Sequence, residues 1–375
     1  MVKQLVRTIS KFGYLKVAKP LMFRHNPDAV HKGLIRTAKN VQKIPGVRSL
    51  PKLWSHHDKS LEVTLMGARF RNPVGLSAGF DKAIEMPKLM RSVGFGWMTG
   101  GSVTWGDYKG NDGAWFHRLP KSKSLVVHAG LPSEGTPVVA GRVQQYDMKL
   151  FRDFPLNVSV AKTNSKTSVG DDAGVEDYCN SLKAFDELGQ VSFLEINISC
   201  PNTFGGEPFT TAERLEKLLA AVDKLYLMKP VIVKMPINLP HDDFDTLLDV
   251  IAKHTVAGVA IGNLLKDRTM AKLKDPLPDS VKGNLSGKPN KEITTELVRR
   301  AYKKYGDKLI VIGIGGIMSA EDAYEKIKAG ASLVALITGL IYEGPQLVGD
   351  INKGLVKLLK ADGYTHISEA VGKDV

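Results

Sequence analysis

One of the chain's two cysteines, Cys200, lies in the run Asn197-Ile-Ser-Cys-Pro-Asn202, between two side-chain amides. A thiolate can act as a general base, but a thiol's ordinary pKa of about 8.5 must be lowered, or the enzyme must work above neutrality. Taken alone, a cysteine is more often a small buried hydrophobe, and Cys179, without such neighbours, is read as packing. Lys82 follows Gly79-Phe80-Asp81, Lys234 sits inside the apolar run Pro230–Met235, and Asn263 follows another such run. Gly313-Ile-Gly-Gly316 and Thr338-Gly339 each precede a helical pattern. Glycines there let backbone N–H groups approach a phosphate, although ligand-free tight turns use the same residues. The glycine spacing is not the dinucleotide fingerprint G-x-G-x-x-G. No metal site is expected.

The elements that carry these residues are eight short apolar runs: Pro73–Ala78, Phe95–Gly100, Leu156–Val160, Phe193–Ile198, Pro230–Met235, Gly258–Ile261, Leu309–Ile314 and Leu333–Ile337. Amphipathic helical patterns at Glu85–Val93, Asp177–Leu188, Thr211–Leu227, Asp242–His254, Lys291–Lys304 and Ala320–Ala329 separate most of them. Continuous apolar strands joined by helices imply a covered parallel sheet, and eight of them imply an α/β fold, a (β/α)8 TIM barrel. A doubly wound open sheet is the alternative. In a barrel, polar residues placed just after strand ends meet at one mouth, and a phosphate site falls after the last two strands. Leu61–Phe70 alternates and turns at Met66-Gly67, as a hairpin does.

The net charge is +13 over 375 residues. Residues 1–60 carry thirteen Lys and Arg against only Asp28 and Asp58, so nearly all of that charge is N-terminal. Leu5, Ile9 and Phe12 share one helix face, and Pro20 is expected to break that helix. Asn26 as N-cap with Pro27 and Asp28 starts a second helix, whose apolar side holds Val30, Leu34 and Val41. Two basic amphipathic helices suit an anionic membrane surface better than nucleic acid, because aromatic residues are not interleaved with the bases. A merely solvated basic face is the plain alternative. Pro45, Gly46 and Pro51 read as a linker. The expected organisation is an extension over 1–60 and a barrel over 61–375. No secretory signal or spanning run is apparent, and two cysteines make no disulfide scaffold.

Several stretches occur in an order that resembles the dihydroorotate dehydrogenase family, FMN-dependent barrel enzymes. They are Asn72-Pro-Val-Gly-Leu-Ser-Ala-Gly-Phe-Asp-Lys82, Gly101-Ser-Val-Thr104, Asn197–Asn202, Val233-Lys234, Gly283-Asn-Leu-Ser-Gly-Lys-Pro289 and Ile312-Gly-Ile-Gly-Gly316. Pro20–His31 is similar to the helical extension of the membrane-associated, quinone-using branch. The resemblance implies oxidation of dihydroorotate to orotate, with Cys200 as the catalytic base and quinone as electron acceptor. It places Ser77, Ala78, Gly79, Lys82, Ser102, Ser159, Asn197, Lys234, Gly262, Gly287, Gly315, Gly316, Thr338 and Gly339 against FMN. Lys82, Asn197, Asn202 and Asn263 would bind the substrate. The implied location is the cytoplasmic face of the inner membrane, peripherally, or the cytoplasm if the extension binds no lipid.

The sequence departs from the family pattern at several of these places. Cysteine at position 200 belongs to the soluble branch, whereas the quinone branch normally has serine. Val127 and Ser159 stand where asparagines are expected, Pro132-Ser133 replace an asparagine pair, and Gly262 and Leu264 stand where the family has threonines. Each change removes polar groups from the substrate or flavin side. An FMN enzyme for another dihydro-heterocycle is therefore the alternative function. A flavin-free phosphate-binding barrel and a basic interaction protein are readings of other classes.

Overall fold

The structure, a computed structural model, describes residues 2–44, 46–165, 170–203 and 206–375. Helix α1 (Val2–Gly13) passes through a π-helical turn (Tyr14–Ala18) into α2 (Lys19–Phe23). The expected break at Pro20 does not occur. Pro20 falls in the first turn of α2, and Lys19 N–H bonds Tyr14 O in the widened turn before it. That turn accommodates a residue without an N–H whose ring would strike the carbonyl one turn back. Helix α3 (Pro27–Val41) is capped as its sequence predicts: Asn26 Oδ1 accepts from Asp28 N at 2.9 Å and Ala29 N at 3.1 Å. The linker reading needs correction. Pro45 lies outside the described residues, and Pro51 is buried within a short 3-10 helix, Val47–Leu53.

The body begins with the hairpin β1 (Val63–Leu65) and β2 (Ala68–Phe70). The eight apolar runs then form β3 (Val74–Leu76), β4 (Trp97–Val103), β7 (Leu156–Val160), β8 (Phe193–Asn197), β9 (Val231–Met235), β10 (Gly258–Ile261), β12 (Ile310–Ile314) and β13 (Leu333–Leu336). These close into one all-parallel barrel in the order β10-β12-β13-β3-β4-β7-β8-β9. The helices around it are α4 (Pro87–Val93), α5 (Thr136–Gln144), α6 (Asp171–Asp186), α7 (Ala212–Asp223), α8 (His241–Ile251), α9 (Lys291–Tyr305), α10 (Ala320–Lys328), α11 (Thr338–Glu343) and α12 (Leu347–Ala361). The sequence reading lacks α5 and α12. It also lacks a small antiparallel sheet in which β5 (Phe116–Leu119) and β6 (Ser124–Val127) pair, with β11 (Asn284–Leu285) alongside β6.

The N-terminal helices lie against the barrel through polar contacts and a few ring and apolar ones, such as Phe23 edge-on to Tyr342 at 5.6 Å. Arg7, almost wholly buried, pairs with Asp350 of α12 at 3.2 Å and donates to Ser55 O. Tyr14 Oη donates to Ile341 O at 2.6 Å, and Lys19 Nζ to Tyr342 O at 3.0 Å. The Asp28 carboxylate accepts from the backbone N–H of Trp115 and of Phe116, at 3.0 and 3.1 Å, and so fixes α3 to β5. Leu5, Ile9, Phe12, Val17 and Leu21 are left more than half exposed. No helix among the described residues is long and apolar enough to cross a membrane.

Arg7→Ala removes the buried cation of this docking and leaves Ser55 O and Asp350 without it. A charged hydrogen bond of this kind contributes about 1.5–3 kcal/mol. Amide exchange over residues 2–23 should therefore quicken by roughly tenfold or more, while the barrel's unfolding midpoint moves little. Unchanged exchange would show that Arg7 does not hold the helix.

Candidate active site

Strand closure brings the polar residues to the carboxyl ends of the strands, where a connected hydrogen-bond chain crosses the mouth. Ser159 Oγ of β7 and Ser102 Oγ of β4 lie 2.8 Å apart, and Asn197 Nδ2 of β8 donates to Ser102 Oγ at 2.7 Å. Asn197 Oδ1 accepts from both Ser199 N and Ser199 Oγ. Asn263, just after β10, donates to Ser199 O and Oγ at 2.7 Å and accepts from Leu264 N. Asn202 donates to Val127 O at 3.0 Å and accepts from Asn284 Nδ2 at 2.8 Å. Each amide is thus oriented by the protein, and Asn197 and Asn202 each retain an N–H beyond the one in these bonds.

Two adjoining cavities open over this chain. The first is walled by Ala78, Gly79, Lys82, Ser102, Asn197, Cys200, Asn202, Lys234, Asn263 and Thr338, among others. The second shares Ala78, Lys234, Asn263 and Thr338 with it and adds Ser77, Gly262, Gly287, Gly315, Gly316 and Gly339. Every residue that the resemblance sets against FMN or substrate lines one cavity or the other except Ser159, which lies one hydrogen bond behind Ser102. The structure also adds residues that sequence reasoning missed. His31 of α3, Phe80, Phe116 and Ile341 wall the outer end of the first cavity. Ser286 and Asn290 line the second, with Ser286 Oγ 3.0 Å from Thr338 Oγ1. The Ser-Gly-Lys-Pro run around Gly287 marked the neighbourhood of Ser286 and Asn290, but only the fold shows which way they face.

The charged groups are unusual for their surroundings. Lys234 is about 5% exposed and has no hydrogen-bond or ion-pair partner among the described residues, although it faces both cavities. Lys82 Nζ donates to Gly79 O at 2.7 Å, and burial lowers its pKa to about 8 against the pull of Asp81 and Asp28. The enclosed Cys200 thiol opens onto the first cavity, and burial pushes its pKa up to about 11. The backbone N–H of Asn202 acts in the opposite direction, as do Lys234 and Lys266 more weakly. The lowering expected of a cysteine base is therefore absent here. Burial, followed by Lys82 and Lys32, depresses His31 to about 3 and keeps its ring neutral, with edge contacts to Phe80 and Phe116 at 5.8 and 5.3 Å.

The second cavity suits a ligand with a phosphate and hydroxyl groups. Gly315 and Gly316 take φ of +107° and +74°, and a Cβ on Gly339 would lie 2.2 Å from Ile317 O. Two loops therefore meet at backbone distance, with no side chain between their amides and the cavity. Asn290 Oδ1 is buried there without a partner, while its amide nitrogen is held by Asn263 O and Leu285 O. An unmet acceptor in that place fits a ligand hydroxyl. The family departures are also visible. Val127, Pro132 and Leu264 face the first cavity, whereas Ser133 Oγ is taken by the backbone N–H of Thr104 and Gly135. Gly262 leaves no room for threonine, since its Cβ would sit 2.4 Å from Ile314 O.

Comparison with known proteins agrees with this geometry. Residues 60–359 match the model of the family described as dihydroorotate dehydrogenase. A protein of Haloarcula marismortui named dihydroorotate dehydrogenase (quinone) is 34% identical over 359 residues, covering 96% of this chain and 99% of its own length. One of the same name from Synechocystis is 33% identical over 364 residues, 94% of each chain. Among solved structures, DHODH from Eimeria tenella in complex with ferulenol superposes with a TM-score of 0.82 at 25% identity, covering 93% of this chain and 96% of that one. A barrel whose mouth gathers these motifs and a match across most of its length lead to one conclusion: this chain belongs to the dihydroorotate dehydrogenase family.

Proposed function

We propose that the chain oxidises dihydroorotate to orotate with FMN held in the two joined cavities, and that it passes the electrons to a quinone at a membrane surface. The observation that carries the reading is Lys234, an almost buried cation facing both cavities without a hydrogen-bond or ion-pair partner among the described residues. Such a charge is costly unless a ligand supplies electron density. When bound, FMN supplies the acceptor for the hydride. Lys234 would favour negative charge on the reduced ring. Ser77, Ala78 and Gly79, with Ser102, Ser159 and Gly262 near them, would flank the isoalloxazine. Gly287, Gly315, Gly316, Thr338 and Gly339 would hold the phosphate and ribityl end.

On the substrate side, the Lys82 ammonium would pair with the carboxylate, and Asn197, Asn202 and Asn263 would meet the polar ring edge. Cys200, as thiolate, would take the proton from one ring carbon while the neighbouring carbon gives up its hydride. With a pKa near 11, roughly one thiol in ten thousand is ionised at pH 7, so proton removal should limit the rate near neutrality. The apolar wall of Phe80, Phe116 and Ile341 beside α3 offers a quinone a path to the site. The exposed stripe Leu5-Ile9-Phe12 in a basic segment supports contact with an anionic membrane interface. The apolar faces of Val127, Pro132 and Leu264 favour a second reading, oxidation of a less polar dihydro-heterocycle.

The test is to mix the flavin-loaded protein anaerobically with dihydroorotate, follow bleaching, and then add a quinone. Bleaching and quinone-driven recovery are expected, and Cys200→Ala should slow bleaching by about 10²-fold or more. Absence of bleaching with an intact flavin spectrum would move the second reading to first place. Orotate affinity should also depend on pH. The Lys82 charge, ordinarily kept to about 10.5, is lost as pH rises through about 8. Orotate should then bind up to about tenfold more weakly per pH unit above 8. Lys82→Met should flatten this dependence, and an unchanged slope would remove Lys82 from carboxylate binding.

A further inference from the structure

Outside the catalytic mouth, six lysines converge on one surface cavity of about 360 Å³. Lys121 and Lys123 come from the turn between β5 and β6, Lys272 and Lys274 from the segment after β10, and Lys288 from the 3-10 turn before α9, while Lys291 is the first residue of α9. Among the described residues, the single acid in its wall is Glu292, whose ion pair with Lys272 spans 3.8 Å between side chains that are both nearly fully exposed. Lys123 is held by Glu343, and Lys291 by Asp322 and Glu325 at 2.6 and 2.8 Å. Lys121, Lys274 and Lys288 have no carboxylate partner among the described residues, and all three are exposed. Asp275, beside Lys274 in sequence, accepts from the backbone N–H of Lys121 and of Ser122 and from the Ser122 hydroxyl, and its charge offsets part of that of Lys121.

Three ammonium groups without an ion pair among the described residues, from three separate segments, and three further lysines against one wall carboxylate leave this concave surface with an excess of positive charge. A surface selected only for solubility gains nothing from that arrangement, since dispersed lysines serve it with less repulsion. No aromatic side chain among the described residues lines the cavity, so none of them would stack on a base. We propose that this pocket binds a multiply charged phosphate group, of the diphosphate or phosphomonoester class, separately from the catalytic cavities. Lysines, as strongly hydrated point charges with rotatable donors, suit such an anion at a solvent-open site. Two sources share that chemistry: a soluble diphosphate, and the headgroup of an anionic lipid. The lipid source is compatible with position, because Lys123 is near enough to Lys19 of the N-terminal helices to act on it electrostatically.

The experiment uses the flavin-loaded full chain, a pocket variant (Lys121→Glu, Lys274→Glu and Lys288→Glu together), and a control variant. The control changes Lys183, Lys224 and Lys253 to Glu, three exposed lysines that line no part of the pocket and have no ion pair among the described residues. All six positions are at the surface, and retention of the flavin spectrum checks the fold of each variant. Calorimetric titration with pyrophosphate should show saturable, salt-sensitive binding that weakens roughly tenfold or more in the pocket variant and little in the control. If pyrophosphate gives no binding, phosphatidylcholine vesicles containing phosphatidic acid should hold the pocket variant at least several-fold more weakly than the control, both keeping the same N-terminal helices, which assigns the site to a lipid headgroup. No binding in either assay, or equal loss in both variants, would overturn the proposal.

Discussion

Closure of eight parallel strands into one barrel is the constraint on which the rest depends. A parallel strand has the same sense as its neighbours, so all eight carboxyl ends arrive at one mouth. Residues more than two hundred positions apart, Ser77 and Thr338 among them, become walls of the same cavity. The mouth is polar in its floor and is ordered by the Ser159-Ser102-Asn197-Ser199-Asn263 chain, which joins β7, β4, β8 and the end of β10. Because each amide is already bonded to protein, the remaining N–H groups of Asn197 and Asn202 point in fixed directions, which is how a site limits reorganisation when a ligand arrives.

The N-terminal helices complete the site from outside the barrel. Asp28 fixes α3 to β5, and that brings the neutral His31 ring against Phe80 and Phe116 at the outer end of the first cavity. Hydrogen bonds, the Arg7–Asp350 pair and the Phe23–Tyr342 ring contact dock α1 and α2, while the stripe Leu5-Ile9-Phe12 faces outward. An extension that served only to cover the barrel would place its apolar residues inward.

Much of the fold was legible because its strands are buried on both faces and appear as unbroken apolar runs. Polar residues immediately after those runs could be assigned to one mouth before any coordinates. The β5-β6-β11 sheet was not legible: β11 is two residues long and pairs with a strand more than 150 positions earlier. Helix α5 was hidden because its apolar residues are not confined to one side, with Val138 half exposed. Pro20 misled because proline normally ends a helix, and a π turn that absorbs it has no sequence signature. The roles of His31 and Asn290 depend on which way a helix or loop turns. The raised pKa of Cys200 likewise depends on enclosure by neighbouring segments, which the Asn-x-Ser-Cys-Pro-Asn motif alone does not reveal.

The central claim is that the enclosed thiol of Cys200 removes the substrate proton despite its high pKa. The most direct test is the limiting rate of anaerobic flavin reduction at saturating dihydroorotate, measured from pH 6.5 to 10. Because the thiolate fraction rises with pH up to about 11, the rate should climb about tenfold per pH unit without levelling off in that range. A rate that is independent of pH, or that reaches its plateau near neutrality, would contradict the account.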